Sequence, residues 1–425
     1  MSIQYAALPD SWVRARIDRI SSVSARIGWK ALTAAEYQPE GYAFLATPNI
    51  KSARIDFESV NYISSFRYDE SPELKLAVGD VLLAKDGNTL GICNVVRELP
   101  RPATVNGSIA VLRPRGVDPR FLYYVLSSYP VQRHIDMVKD GMGVPHLFQR
   151  DIKRIEVPFP PLDEQWRIAD FLDAETARID RLAAARLRQR VLISERWQTR
   201  LAEAVSNAVQ TCGELPLRRV CVGLEQGWSP QCDDAEALPE EWAVLKTSAV
   251  SSGRFDALAH KLLPAATAPD IRYKVDDGDL LLTRGSGSAD LVGMAAVAQT
   301  EGRRLLLSDL LYRAKLAQGW SSSFVALVLR SQYGRQQITS TIRGAAGLTV
   351  KIRGEDILGL TIPQIPPSEQ AAFTDSLERA ESELFQLSTV IDQSNVLLAE
   401  RRQALITAAV TGQFNVTTAR GADLS

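Results

Sequence analysis

The chain has 425 residues, of which 45% are hydrophobic and 23% are charged, as in ordinary globular proteins. This length exceeds what one ordinary hydrophobic core supports, so we expect two or more domains. The formal net charge of −1 neither indicates nor excludes a nucleic-acid-binding surface, because acidic residues elsewhere can offset a basic face.

The sequence offers no signal for a membrane or secreted protein. Its apolar runs are all shorter than the roughly 18 residues of a membrane span, and its N-terminus lacks the apolar segment of a signal peptide. The four cysteines form no C-x-x-C pair, which disfavours a disulfide framework or a zinc ribbon. We therefore expect a reduced, cytoplasmic protein that binds no metal.

The first block of the chain, residues 1–161, combines strand and helix patterns. Leu74–Val96 predicts two strands that are joined by a turn at Lys85–Asn88. Phe121–Val138 predicts a helix that is interrupted by Pro130. The block ends in a glycine-rich loop and short strands that are closed by prolines.

A long helix follows the first block. Residues 162–210 contain no proline and no glycine, and their apolar residues recur at helical spacing. Residues 211–366 then repeat the plan of the first block, residues 367–415 repeat the long helix, and residues 416–425 form a tail. The two segments that contain the helices share roughly 16 identities in about 60 ungapped pairs, which indicates an internal repeat.

The repeat predicts an α+β protein with two similar globular α/β blocks and two long helices. Each isolated amphipathic helix needs a partner to be stable in water, and the predicted partner is the other copy, in an antiparallel coiled coil. The alternative is that each helix packs on its own block, which the helix length disfavours. The predicted helix-pair interface consists of Ile168, Leu172, Ile179, Leu182, Ile193, Trp197, Leu201, Phe373, Leu377, Leu384, Leu387, Leu398 and Ile406.

Both long helices begin with the same dipeptide, Glu164-Gln165 in the first and Glu369-Gln370 in the second. Carboxylates in the first turn of a helix suit its dipole. Two interpretations remain open for these four residues: a role in capping the helix, and contact with a partner protein.

Two sets of motifs resemble the specificity subunits of Type I restriction–modification systems. The first is P-P-x-x-E-Q at Pro160–Gln165, with the related Pro366–Gln370, opening each helix. The second is the loop Gly141–Phe148 before the first helix and Arg343–Thr349 before the second. The second loop has Leu348-Thr349 where the first has His146-Leu147, so we expect no histidine role in the second block.

The resemblance implies a function in DNA recognition. In that family the blocks are target-recognition domains that read the two halves of an asymmetric split site on double-stranded DNA. The helices set the spacing and dock two methyltransferase subunits, and through them the motor–nuclease subunits. The methyl group would pass to adenine N6 from S-adenosylmethionine that is bound by the partner, so this chain would hold no cofactor and no catalytic residue.

Base readout in DNA uses paired donors and acceptors from arginine, lysine, asparagine and glutamine side chains. For each candidate, a solvated surface position or a phosphate contact is the alternative. Candidate DNA-binding residues are Lys85, Asn88, His146, Gln149 and Arg150 in the first block, and Arg284, Ser286, Ser288, Arg343, Lys351 and Arg353 in the second.

Motifs for autonomous catalysis are missing from the sequence. The proline pairs do not form a methyltransferase N/D-P-P-Y/F motif, and the loop at Thr283–Asp290 lacks the third glycine of G-x-G-x-x-G. The alternatives to a specificity subunit are a stand-alone enzyme that modifies nucleic acid and a structural scaffold with two protein-binding heads.

Overall fold

A computed structural model of the chain describes residues 3, 5, 8–25, 32–140, 144–342 and 349–416. The chain forms two compact units. The first comprises Met1–Arg186 with Asp392–Ser425, and the second comprises Leu187–Ile391. Each unit therefore contains one predicted block together with part of each long helix.

The first block mixes short strands and helices. Its strands are β1 (Val13–Arg16), β2 (Ser21–Ala25), β3 (Tyr42–Leu45), β4 (Asn61–Ile63), β5 (Val81–Ala84), β6 (Cys93–Val95), β7 (Ala103–Val105), β8 (Ile109–Pro114) and β9 (Glu156–Phe159). Its helices are α1 (Ile17–Ile20), α2 (Thr47–Ile50), α3 (Ser65–Asp69), α4 (Pro119–Ser127), α5 (Tyr129–Val138) and α6 (Gln149–Arg154), followed by the long helix α7 (Leu162–Cys212).

The second block repeats these elements. Its strands are β10 (Glu214–Pro216), β11 (Cys221–Gln226), β12 (Trp242–Leu245), β13 (His260–Leu262), β14 (Leu280–Thr283), β15 (Gly285–Ser286), β16 (Ala295–Val297), β17 (Arg304–Leu306), β18 (Leu311–Leu316), β19 (Val350–Lys351) and β20 (Thr361–Pro363). Its helices are α8 (Ser248–Ser251), α9 (Ser322–Arg330), α10 (Gln332–Thr341) and α11 (Gly354–Gly359), followed by the long helix α12 (Pro367–Val410).

Strand order confirms that the two blocks share one topology. The first block has a sheet of order β2-β8-β5-β6 and a second of order β4-β3-β7, and the second block has β11-β18-β14-β16 and β13-β12-β17. The pairs β1–β9 and β10–β20 close the blocks. Strands β5 and β14 are buried along their whole length, as their runs of leucine and valine require of central strands.

The helix predicted over Phe121–Val138 is interrupted at Ser128, two residues before Pro130. Ser128 is extended and separates α4 from α5, and Pro130 lies in the first turn of α5, where a missing N–H costs nothing. Ser331 breaks the equivalent helix of the second block in the same way without a proline. In both, the serine hydroxyl donates to the carbonyl three residues earlier, at 2.6 Å.

The long helices exist as predicted, with corrected C-terminal ends. The first continues to Cys212 instead of residue 210, and the second ends at Val410 instead of residue 415. Gly213 and Gly412 follow the two helices with φ of 74° and 73°, the left-handed conformation that commonly ends a helix.

The first unit shows that the two helices run antiparallel. Phe171 of α7 lies 5.5 Å from Phe414, which follows α12, measured between ring centroids. Farther from the C-terminal end of α12, its residue Arg402 pairs with Asp180 of α7 at 3.2 Å. Residue numbers rise along one helix while they fall along the other, as the repeat predicted.

Packing of the helices on the blocks, which the helix length seemed to disfavour, is also observed. Ile168 and Leu172 share a buried cluster with Ile406 and with Phe121 of the first block. Leu201 and Leu377 share another with Phe324 of the second block. Each helix end is therefore core for a block as well as for the other helix.

Burial along the predicted helix-pair interface differs between the helix ends and two central positions. Ile168, Leu172, Ile179, Leu201, Leu377 and Ile406 are buried, while Ile193, Trp197, Phe373, Leu384 and Leu398 are partly exposed. Leu182 and Leu387 are 48% and 53% exposed. Residues of the blocks complete the burial at the helix ends.

Gly412 provides a test of how the chain's N-terminal segment packs in the first unit. A Cβ at Gly412 would overlap the ring of Pro9, whereas a Cβ at Gly213 would meet no atom within 4 Å. Because both glycines have positive φ, each change to alanine costs about 1 kcal/mol for the backbone. We expect Gly412→Ala to lose about 2–3 kcal/mol of unfolding free energy and Gly213→Ala only about 1 kcal/mol, measured by urea titration. Equal losses would contradict the packing of Pro9 on the helix end.

Candidate functional site

Two loops of the first block meet beside the end of β5. The N–H of Gly87 donates to the carbonyl of Pro145 at 2.8 Å, and the N–H of Leu147 donates to the carbonyl of Lys85 at 2.8 Å. Lys85 is tied in turn to β8, because its N–H donates to the carbonyl of Ser108 at 2.8 Å. These bonds join the predicted Lys85–Asn88 turn to the segment before α6, so the sequence-predicted residues of the first block lie together.

The second block holds its two loops with equivalent main-chain hydrogen bonds. We call this set of bonds in each block the loop frame. The N–H of Ile352 donates to the carbonyl of Arg284 at 3.0 Å, and the N–H of Arg284 donates to the carbonyl of Leu310 at 2.8 Å. Strands β15 and β19 pair Gly285 with Lys351. Arg284 thus corresponds to Lys85, and Ile352 to Leu147.

This correspondence corrects the sequence comparison of the two loops. If Ile352 is equivalent to Leu147, then Lys351, and not Leu348, is equivalent to His146. The structure therefore confirms that the second block has no histidine at this position, and it shows that a lysine stands there instead. The shift arises because the loops differ in length before they reach the shared hydrogen-bond frame.

In the first block, side chains of the two loops form a continuous set of contacts. Lys85 is 7% exposed, and its Nζ lies 3.0 Å from the carboxylate of Asp86. The same carboxylate hydrogen-bonds to Nδ1 of His146. The His146 ring packs edge-on against Phe148 at 4.5 Å between centroids, and the guanidinium of Arg150 lies 4.6 Å from the centre of the Phe148 ring.

Burial separates the candidates of the first block. Lys85 is not presented to DNA in this structure, because its side chain is buried against Asp86. Gln149 donates its amide to the carbonyl of Val23, which attaches α6 to β2. Asn88 is exposed, the side chain of His146 is 33% exposed, and that of Arg150 is 70% exposed. These three remain candidates.

The second block presents its candidates differently. Arg284 is partly buried, with Nε donating to the hydroxyl of Tyr312 at 3.2 Å. Lys351 and Arg353 are exposed, and Arg353 pairs with Glu355 at 3.2 Å. Ser286 accepts from the N–H of Ser288 at 3.3 Å, and Ser288 is exposed. Arg343 lies outside the described residues.

The glutamines that open the long helices are structural, which corrects their assignment as docking candidates. Gln165 is completely buried: its amide oxygen accepts from the N–H of Asp118 at 2.9 Å, and its amide nitrogen donates to the carbonyl of Pro160 at 2.8 Å. Gln370 repeats both bonds, with the N–H of Ser321 at 2.9 Å and the carbonyl of Ile365 at 3.0 Å. A side chain buried in this way cannot contact a partner.

For the acidic residues beside those glutamines, capping and partner contact both stay open. Glu164 is partly exposed and Glu369 is exposed. Sequence could have suggested the difference, because a carboxamide that both accepts and donates is suited to joining two buried main-chain groups.

Ion pairs attach each block to a long helix. In the first unit, Arg97 forms two hydrogen bonds to Asp173 of α7, at 2.6 and 2.9 Å, and Tyr124 donates to the same carboxylate at 2.7 Å. In the second unit, Arg330 forms two bonds to Glu381 of α12, at 3.0 and 3.3 Å. These attachments fix the orientation of the loops relative to the helix within each unit.

Asp173 makes the first attachment sensitive to acid. Burial raises its pKa, but the hydrogen bonds from Arg97 and Tyr124 outweigh burial, so the pKa lies below the usual value for aspartate. A depressed pKa contributes stability above the unfolded value of about 3.9, and this contribution is lost as pH falls through the folded value. Asp173→Asn should therefore be less stable than the wild type at pH 7, and the difference should shrink below about pH 4. A difference that persists unchanged at pH 3 in urea titrations would contradict this assignment.

The sequence interpretation missed several residues that stabilise the loops and the sheets beside them. Asp86 and Phe148 were not singled out, although each touches His146. Two arginines at different positions of β8 and β18 were also missed: Arg113 binds the buried Asp80, and Arg313 binds Asp279. The repeated Gly-Asp turn before β5 and β14 was the available signal.

The described part of the chain shows how its possible metal ligands and its cysteines are placed. No group of three or more histidine, cysteine or acidic side chains is arranged there to hold a metal ion. Cys93, Cys212, Cys221 and Cys232 are free thiols. Burial raises the pKa of the Cys93 thiol to about 11. None of the helices among the described residues is both long and apolar enough to span a membrane.

Comparison with known proteins shows what the chain is similar to. Residues 11–189 match the family model described as the Type I restriction modification DNA specificity domain. The chain is 24% identical to the Type I restriction enzyme EcoKI specificity subunit of Escherichia coli (strain K12), over 96% of this chain and 90% of that protein. Residues 11–189 thus match a Type I specificity domain, and nearly the whole chain is similar to Type I restriction–modification specificity subunits.

Another specificity subunit is similar in sequence, and two solved structures are similar in fold. The StySPI specificity subunit of Salmonella potsdam is 22% identical over 88% of this chain and 82% of its own length. A solved structure from a study of complex assembly in the Type I R-M system superposes with a TM-score of 0.71, at 16% identity, covering 96% of this chain and 100% of that one. The HsdS subunit from Thermoanaerobacter tengcongensis gives a TM-score of 0.50 at 18% identity, covering 96% and 99%.

Proposed function

We propose that this specificity subunit binds a bipartite, asymmetric site on double-stranded DNA and docks two adenine-N6 methyltransferase subunits, and through them the motor–nuclease subunits. The observation that carries the proposal is the shared loop frame. Both blocks hold two loops by the same main-chain hydrogen bonds, but they present different side chains: His146 in one and Lys351 in the other. A constant scaffold with variable tips is suited to reading two unlike half-sites.

A single chain with two unlike blocks removes a constraint on the DNA site. Dimers of identical readers impose palindromic sites, because both halves must present the same bases. Here the two blocks share a topology but differ at their loop tips. The half-sites can therefore differ, and the helices between the blocks set their separation.

The chemistry belongs to the partners in this proposal. Methylation of a base inside a duplex requires that the base be flipped out of the stack into a catalytic pocket. S-adenosylmethionine would be bound by the methyltransferase subunit and not by this chain. The role of this chain is non-catalytic: it selects the sequence and holds the methyltransferases there. Glu164 and Glu369 are the remaining candidates for docking them.

The test exchanges one block in cells that carry the chain with its methyltransferase. Replacing the first block, residues 1–161, with that of another specificity subunit should change one half of the methylated sequence and leave the other half unchanged. Genome-wide mapping of N6-methyladenine gives the readout. An unchanged methylated sequence, or a chain that can be deleted without loss of any methylated motif, would contradict the proposal.

Two further assays separate the alternatives. Methyl transfer to DNA by the purified chain with labelled S-adenosylmethionine, without any partner, would favour a stand-alone enzyme. Footprinting of the complex with the methyltransferase on DNA would reveal a protected bipartite site for a specificity subunit. A protein scaffold would leave no protected sequence.

A further inference from the structure

The loop frames of the two blocks carry groups of opposite hydrogen-bonding character at the same position. His146 and Lys351 immediately precede the residues whose N–H groups donate to Lys85 and Arg284, so the two side chains start from equivalent main-chain positions. Both are accessible, with Lys351 exposed and one third of the His146 side chain exposed. What each can offer to DNA depends on its partners in the loop.

Asp86 determines which nitrogen of His146 carries the hydrogen. The Asp86 carboxylate is paired with Lys85 and can only accept hydrogen bonds. Its contact with Nδ1 therefore places the ring hydrogen on Nδ1. In the neutral ring Nε2 is then an acceptor, and it makes no hydrogen bond to another described residue. The packing of Phe148 against the ring limits its rotation.

Lys351 offers hydrogen-bond donors where His146 offers an acceptor. Its ammonium group has three donors and no acceptor. The residue opposite it across the β15–β19 pair is Gly285, where the first block has Asp86 opposite His146. The second block therefore has no carboxylate at the place where the first block orients its histidine.

We propose that His146 and Lys351 are equivalent specificity determinants of opposite polarity, with His146 Nε2 accepting from a base and Lys351 donating to one. This inference rests on the proposed function. In the major groove, exposed amino donors belong to adenine and cytosine, whereas guanine N7 and O6 and thymine O4 are acceptors. The first block then selects adenine or cytosine at one position of its half-site, and the second selects guanine or thymine at the corresponding position.

Asp86 is a positioning residue in this arrangement, and its role can be separated from that of His146. Asp86→Asn removes the obligate acceptor, so the imidazole hydrogen is no longer held on Nδ1. We expect the Asp86→Asn protein to lose selectivity at the same position that His146 reads, while the second half-site is unchanged.

The decisive experiment reverses the polarity of the first block in the intact complex with its methyltransferase. His146→Lys is expected to shift the preference at one position of the first half-site from adenine or cytosine to guanine or thymine, by about ten-fold. The readout is adenine methylation of a DNA library in which the first half-site is randomised. Gln413→Lys, which adds the same charge at an exposed position outside both loops, is the control and should leave every preference as in the wild type.

Two more variants keep the test decisive if the lysine variant does not fold, as judged by thermal unfolding. His146→Gln retains an acceptor and should weaken the preference without reversing it, whereas His146→Leu should abolish it at that position. Wild-type base preference in the His146→Lys or His146→Leu complex would overturn the inference. A wild-type complex that methylates no defined sequence would instead overturn the proposed function.

Discussion

Replacing Arg313 with methionine is expected to lower the free energy of unfolding of the second unit by about 3 kcal/mol. The side chain of Arg313 is only 7% exposed, and its guanidinium binds Glu225 at 2.6 Å, Asp279 at 3.1 Å and the carbonyl of Arg272 at 2.9 Å. Methionine fills a similar volume but leaves both carboxylates and the carbonyl without this partner. Glu225 is 37% exposed and can be rehydrated, which keeps the loss toward the lower end of the range for broken buried pairs.

The measurement is urea unfolding of the full chain, followed by hydrogen exchange of peptides that cover β14 and β18. Arg272→Met is the matched control. The Arg272 side chain is 80% exposed and pairs with Asp270 at the surface, so its loss should leave the urea midpoint close to that of the wild type. If the two variants unfold at the same urea concentration, the buried arginine does not organise the sheet.

Replacing Gln165 with leucine is expected to destabilise the first unit by about 3 kcal/mol, because two buried main-chain groups lose their partners at about 1–3 kcal/mol each. These groups are the N–H of Asp118, at the start of α4, and the carbonyl of Pro160, just before α7. Leucine is similar in size to glutamine but can neither accept nor donate. The change therefore tests the hydrogen bonds more than the packing.

Exchange of the Asp118 amide hydrogen reports this contact directly. It should become faster in Gln165→Leu and stay slow in Glu164→Gln, the control at the neighbouring partly exposed position. A Gln165→Leu protein with wild-type stability and a slow Asp118 amide, but with weaker methyltransferase binding, would restore the docking interpretation. Gln370→Leu should behave in the same way in the second unit, through the N–H of Ser321.

The buried glutamines and the loop frames explain why the repeat is visible in the helices and faint in the blocks. The helices must present the same glutamine to the same main-chain groups in both units, so the dipeptide recurs. The loop tips are held by main-chain hydrogen bonds, which do not depend on side-chain identity. Their side chains can therefore diverge while the frame is kept.

Local sequence was sufficient for the elements that depend on local properties. The absence of proline and glycine predicted the long helices, and the apolar run Val81–Ala84 predicted a buried strand, because backbone preference and periodicity act over a few residues. The duplicated plan and the antiparallel direction of the helices also followed from the repeat. The resemblance of the opening motifs indicated the family that the comparisons then supported.

Only the tertiary structure decided which side chains are available for function. Lys85 and Gln165 look like surface residues in the sequence, yet both are buried. Distant segments cause this: Ser108 and Leu147 bind the main chain of Lys85, and the N–H of Asp118 donates to the side chain of Gln165. The equivalence of His146 and Lys351 likewise became visible only through hydrogen bonds between loops that are far apart along the chain. Periodicity shows which face of an element is apolar, but burial of a given polar atom depends on what other segments place against it, and that is a property of the fold.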